Sequence, residues 1–195
     1  MHVFLGITGA SGAPYAASLL RRLVDAECQV GICASRSGIE VLATELYGDA
    51  TLSPDDVLER FTLGMDGVAV HSDQDWSAPY ASGSARVDAY VICPCSMSTV
   101  GTIASGAMAN LIHRAASVAI KEERKLVLVP RETPLSLIHL EGLTALRRAG
   151  ATILFAAPGF YHGWDSVDDL VDFVVERALD HVGLDREGAR RWGQS

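Results

Sequence analysis

The 195-residue chain has no run of 18 apolar residues, so no segment reads as a membrane-spanning helix. Its start lacks both the basic opening and the apolar stretch of a signal peptide, and the expectation is a cytoplasmic protein. Cysteine is scarce: only Cys28, Cys33, Cys93 and Cys95, none in Cys-x-x-Cys spacing, which excludes a zinc knuckle or a dithiol redox pair. Cys93-Pro94-Cys95 is too tight for an unstrained local disulfide, so the four read as small buried thiols in a reducing compartment. There is no internal repeat, low-complexity tract or Pro/Gly-rich linker, so residues 1–184 read as one domain. Residues 185–195 read as a polar tail, either loosely held or docked on a neighbouring subunit. The chain also lacks an excess of positive charge. With 16 basic and 24 acidic residues its net charge is −8, which argues against nucleic acid and anionic membrane as partners. At first sight it also argues against phosphate ligands.

What is present is a core. With 49% hydrophobic and 21% charged residues, disorder and small disulfide-stapled folds are excluded. Short apolar runs alternate with amphipathic stretches. Strands are predicted at 3–7, 30–33, 68–70, 89–93, 126–129 and 152–156. Helices are predicted at 13–26, 38–45, within 99–124, and at 135–148 and 167–181. That alternation, with near-continuous apolar strands, predicts an α/β three-layer sandwich: a parallel sheet with helices on both faces. Ligands of such sheets bind at the carboxyl ends of the strands, so the informative residues should follow them.

The first strand runs into Thr8-Gly9-Ala10-Ser11-Gly12-Ala13, a glycine-rich turn opening a helix. Its backbone N–H groups suit a phosphate, or it is a tight turn with Ser11 as N-cap. It is neither a Walker A loop nor a full Gly-x-Gly-x-x-Gly fingerprint. The strand at 89–93 leads into Pro94-Cys95-Ser96-Met97-Ser98-Thr99, where three hydroxyls gather at a helix start. An anion fits there, although ordinary capping needs only one of them. Cys95 has no basic neighbour in sequence to activate it as a nucleophile. The strand at 126–129 ends in Pro130-Arg131-Glu132-Thr133-Pro134, where two prolines fix the loop and Arg131 suits forked phosphate recognition; a surface ion pair is the alternative. Arg124 and Lys125 read as solvated helix-end charges. Pro158-Gly159-Phe160-Tyr161-His162 follows the last strand, and Arg177 sits among acids at salt-bridge spacing.

Taken in order, Gly9-Ala10-Ser11-Gly12, Pro94 to Thr99, Asn110-Leu111-Ile112 with Arg114-Ala115-Ala116, Pro130 to Pro134 with Ile138-His139-Leu140-Glu141, and Pro158 to His162 closely resemble the UbiX/Pad-type flavin prenyltransferases. The resemblance spans about Val3 to Gly183. It implies a flavodoxin-like/Rossmann-like homo-oligomer that joins a dimethylallyl group from dimethylallyl monophosphate to N5 and C6 of reduced FMN, without a metal. The product, prenylated FMN, would serve a UbiD-type decarboxylase. The family's dodecamers, with active sites shared between subunits, are the implied assembly.

The same resemblance implies residue roles. Gly9, Ala10, Ser11 and Ser35 would contact FMN. Ser96, Met97, Ser98 and Thr99 would cradle its phosphate, with Arg131 on FMN or between the two ligands. Lys121, Arg131, Tyr161 and Arg177 would grip the dimethylallyl phosphate, and Trp76 would wall the prenyl pocket. Ser11, Glu45 and Glu132 would handle protons near flavin N5, and Arg114 matches a motif arginine. Cationic groups on the leaving phosphate and aromatic faces around an allylic cation suit the chemistry. Three positions depart from the family pattern: Ser117 for Asp, Gly142 for Asn, and Gly163-Trp164 for x-Pro beside Tyr161. Two other readings compete. One is an FMN-dependent cysteine-type decarboxylase, which relies on an early histidine, yet none lies between His2 and His71. The other is a flavin carrier without turnover.

The charge then resolves by region. Residues 111–150 hold seven basic and four acidic groups, whereas 37–88 hold two basic and ten acidic. The acidity belongs to outer surfaces and connections, and the cations a phosphate needs are grouped.

Overall fold

The computed structural model describes residues 1–160 and 164–184. Six strands form one parallel sheet: β1 (His2–Ile7), β2 (Gln29–Ala34), β3 (Val68–His71), β4 (Ala89–Cys95), β5 (Lys125–Pro130) and β6 (Thr152–Ile153). Their order is β3-β2-β1-β4-β5-β6. Of the two common doubly wound orders this is the Rossmann one, with its switch point between β1 and β4. Among the described residues, seven α-helices cover the sheet: α1 (Ala13–Asp25), α2 (Arg36–Tyr47), α3 (Pro54–Thr62), α4 (Met97–Ala104), α5 (Leu111–Lys121), α6 (Leu137–Arg148) and α7 (Val167–Val182). Alternate strand residues sort into two cores. Val3, Leu5, Val91 and Cys93 pack with α1, α2, α3 and α7; Phe4, Tyr90 and Ile92 pack with α4, α5 and α6. No helix among the described residues is long and apolar enough to cross a membrane.

Several boundaries differ from the sequence reading. The connection read as polar contains α3, started by Ser53, whose side chain accepts from the Asp56 N–H, and anchored by buried Val57 and Phe61. β4 does not stop at Pro94 but continues to Cys95, which pairs with Pro130 after a register shift. β6 is two residues long rather than five; beyond it the Leu154 N–H still donates to Leu128 O and the Ala156 N–H to Pro130 O. Arg124 is not a solvated helix-end charge, and Lys125, though exposed, begins β5 and is tied down. Arg124 donates to the carbonyls of Ala85 and Gly83 and to the Tyr90 hydroxyl, and Lys125 donates to Val182 O.

The crossover from β3 to β4 carries no α-helix. Tyr80, on a single 3-10 turn (Pro79–Ala81), covers β2 instead. It lies against Gly31, where a Cβ would sit 1.9 Å from its hydroxyl oxygen. Nearby, His113 of α5 is buried, and its Nδ1 has no hydrogen-bond partner among the described residues. Burial holds the imidazole's pKa below its ordinary value, against the pull of Asp73. His113→Met should therefore stabilise the fold by about 1 kcal/mol near pH 8, by removing an unpaired buried group. The gain should grow as pH falls through 6.5, because the unfolded histidine takes up a proton that the folded one refuses. Urea unfolding at pH 8 and pH 5.5 checks this; a destabilised variant at both pH values refutes it.

Candidate active site

The site follows from what each strand does at its carboxyl end. At the switch point the turn after β1 faces the turn after β4, and buried Thr8 ties them together. The Thr8 N–H and hydroxyl both donate to Pro94 O, at 3.1 and 3.0 Å, and the hydroxyl oxygen accepts from the Ser96 N–H at 2.7 Å. The sequence reading gave Thr8 no role. A polar residue at the end of an apolar strand was the available signal.

Gly9 lets the neighbouring turn approach: a Cβ there would lie 2.4 Å from Ser37 Cβ. Ser35 starts α2; its N–H donates to Ile7 O, and its hydroxyl oxygen accepts from the Gly38 N–H at 3.1 Å. Thus Gly9, Ala10, Ser11 and Ser35 share one edge of the sheet.

The two helix starts at the switch point differ. Ser11 is not the N-cap of α1; the cap position is Gly12, which makes no side-chain cap bond. The capping carboxylate comes instead from Glu45 in α2, whose Oε2 accepts from the N–H groups of Gly12 and Ala13, both at 2.8 Å. Partial burial would raise the Glu45 pKa. The Ser11 hydroxyl, the two N–H groups and the Arg131 charge outweigh it and hold the carboxyl below the usual range. Glu45 is therefore a fixed acceptor at neutral pH rather than a proton donor.

At α4, Ser96 is the N-cap: its hydroxyl oxygen accepts from the Thr99 N–H at 3.2 Å and pairs with the Thr99 hydroxyl at 3.0 Å. Thr99 and Met97 are buried and Ser98 is exposed. The N–H groups of Met97 and Ser98 belong to the first turn, which has no intrahelical partner for them. This start suits an anion; the start of α1 is already filled. Arg131 closes the group, donating from Nε to Ser11 O at 3.2 Å. Glu132 is exposed on the same loop and accepts from the Thr133 N–H.

The remaining candidates lie elsewhere. Lys121 ends α5 just before β5 begins, at the opposite edge of the sheet, beside Gly83 and hydrogen-bonded to Glu122. Arg177 lies on the exposed side of α7, paired with Asp180 at 3.2 Å. These two helices pack on opposite faces of the sheet. Trp76 is 49% exposed on the connection after β3, close to the start of α5, where the Leu111 N–H donates to Asp73 O. Arg114 donates to Ala81 O at 2.8 Å. Tyr161 lies outside the described residues, as do His162, Gly163 and the tail at 185–195. Burial pushes the Cys93 thiol up to about 12 and raises Cys95 as well, so neither is a nucleophile. Among the described residues no cluster of His, Cys, Asp or Glu is arranged to hold a metal.

A doubly wound sheet with one hydroxyl-lined helix start open at its switch point defines a class: an α/β protein that binds a phosphorylated nucleotide or flavin. The chain matches the family described as Flavoprotein over residues 1–179. It is 48% identical to the flavin prenyltransferase UbiX of Pseudomonas aeruginosa, over 98% of this chain and 94% of that protein. Two solved structures superpose at TM-score 0.86. One is AnUbiX (PadA1) in complex with FMN and dimethylallyl pyrophosphate, 38% identical over 100% of this chain and 98% of that one. The other is a dodecameric FMN-dependent UbiX-like decarboxylase from Escherichia coli O157:H7, 40% identical over the whole of both chains. The chain belongs to the UbiX-type flavin prenyltransferase family of flavoproteins.

Proposed function

We propose that this chain is a flavin prenyltransferase that transfers a dimethylallyl group from dimethylallyl monophosphate to reduced FMN, working as a homo-oligomer. The observation that carries this reading is the division of its charged groups. The FMN set, comprising Gly9, Ala10, Ser11, Ser35, Ser96 to Thr99 and Arg131, gathers at one edge of one chain. Lys121 and Arg177 are directed outward from opposite layers, and no single chain can close both on one phosphate. Two further copies at the carboxyl edge, one giving Lys121 and the other Arg177, would supply them, giving a site shared among subunits as in a dodecamer.

FMN, when bound, supplies the N5 and C6 atoms that accept the prenyl group. The protein's own residues do the rest. The α4 start and its hydroxyls hold the flavin phosphate through N–H dipoles. Lys121, Arg131, Tyr161 and Arg177 hold the donor's phosphate and stabilise charge as it leaves. Trp76 shields the allylic cation from water with an aromatic face. Glu45, kept ionised, and Glu132, exposed on the loop after β5, accept protons, with Ser11 between Glu45 and the flavin. The product would serve a UbiD-type decarboxylase. The four unpaired buried cysteines support a cytoplasmic location.

Anaerobic incubation of the protein with reduced FMN and dimethylallyl monophosphate should add one five-carbon prenyl unit to the flavin mass. An unchanged flavin mass on folded, FMN-loaded protein overturns the reading.

A further inference from the structure

The turn at 82–85, in the crossover from β3 to β4, is held by the guanidinium of Arg124, which lies between α5 and β5. Arg124 donates from Nη2 to Gly83 O and from Nη1 to Ala85 O, both at 2.7 Å. Nη1 also donates to the hydroxyl of fully buried Tyr90 at 3.2 Å, so the turn is tied to β4 through one planar fork. Against this turn lies the end of α5, where Lys121 donates to Glu122. Adjacent residues of a helix do not face each other. Glu122 meets Lys121 because it is the C-cap, one residue past the helix. Gly83 leaves the pair its room: a Cβ there would meet Lys121 Nζ at 2.8 Å and Glu122 Oε1 closer still. The backbone of Gly83 is not left-handed, so alanine fits its conformation and the conflict is one of space alone. What would give way is the far end of two flexible side chains. The fold bears that change; the ammonium moves.

We infer that Gly83 is a positioning residue for Lys121: the bare turn, locked to β4 by Arg124, is the wall against which the Lys121–Glu122 pair seats, and it sets where the ammonium stands when it meets the donor phosphate in a neighbouring copy's site. The ion pair holds the ammonium from one direction and the wall from the other. A lysine on a flexible four-carbon stem then has less freedom to lose when the phosphate binds. The inference rests on the proposed role of Lys121 at that phosphate and deepens it.

Anaerobic steady-state kinetics of the full-length protein with reduced FMN test it, using wild type, Gly83→Ala, Lys121→Ala and the double variant. Gly83→Ala should raise KM for dimethylallyl monophosphate about tenfold, the scale of a misplaced binding group. Its FMN dissociation constant and urea midpoint should stay at the wild-type values. In the Lys121→Ala background the same change should cost nothing further, since a residue that acts through the ammonium has no effect once the ammonium is gone. An unchanged KM, a parallel weakening of FMN binding, or a further loss in the double variant overturns the inference. If Gly83→Ala does not fold, Arg124→Lys decides on the same KM, because it loosens the turn without adding a Cβ; a rise supports the inference and no change overturns it. Inorganic phosphate gives an arm free of turnover. It should raise the melting temperature of FMN-loaded wild type more than that of FMN-loaded Gly83→Ala, and equal rises overturn the inference. A wild type that binds FMN yet transfers no prenyl group would overturn the proposed function instead, and the phosphate arm would still judge Gly83.

Discussion

Lys121→Ala and Arg131→Ala proteins, each inactive alone, should recover about a quarter of wild-type prenyl transfer when co-assembled in equal amounts. Each single variant should lose at least about a hundredfold in kcat/KM, the scale of removing one group that stabilises transition-state charge. The recovery follows from the fold. Arg131 stands just past the end of β5 and Lys121 just before its start, separated by six strand residues, or about 20 Å. The two therefore meet at one donor phosphate only if they come from different copies. In a random mixture one site in four receives an intact arginine from one chain and an intact lysine from the other. Co-expression with two affinity tags, followed by tandem purification and the anaerobic assay, gives the measurement. Activity that stays at the level of the single variants, in mixed oligomers loaded with FMN, would show that the site is not shared in this way.

Thr8→Val should lower stability by about 2 kcal/mol and weaken FMN binding about tenfold, whereas Thr8→Ser should retain most of both. Valine keeps the volume and removes the hydroxyl. The Ser96 N–H, now held at 2.7 Å, would be left without its acceptor beside a buried strand end. Pro94 O keeps the Thr8 N–H bond, so the cost comes mainly from the orphaned donor. The β1 and β4 turns would lose the bond that fixes their separation, and the open α4 start would shift relative to Ser11 and Arg131. Denaturant unfolding and flavin fluorescence titration check the two effects. A valine variant within about 0.5 kcal/mol of wild type, binding FMN normally, would refute the role.

Much of this molecule was legible because its signals are local. Apolar runs marked five of six strands nearly to the residue, and the parallel sheet followed from their alternation with helices. α3 was missed although Ser53-Pro54-Asp55-Asp56 is a helix start, because Val57 and Phe61 are too few to stand out in an acidic stretch. β6 ends earlier than its apolar run because Leu154 and Ala156 pack against the core and give only single bonds to β5, while Phe155 between them is exposed. Arg124 looked solvated because its partners, the carbonyls of Gly83 and Ala85, carry no side-chain signal.

The resemblance carried by Pro130 to Pro134 and Ser96 to Thr99 pointed to candidate flavin contacts, and the fold puts those residues at one edge of the sheet. The sequence by itself determined the fold class and the family, since each is written in a pattern or motif a few residues long. Only the tertiary structure decided that Glu45, 33 positions from Gly12, fills one helix start, and that Thr8, 88 positions from Ser96, pins the other. It also decided that Lys121 and Arg177 stand apart. These outcomes depend on strand order and on which layer each helix joins, and the hydrogen bonds between distant turns that result have no local period to betray them.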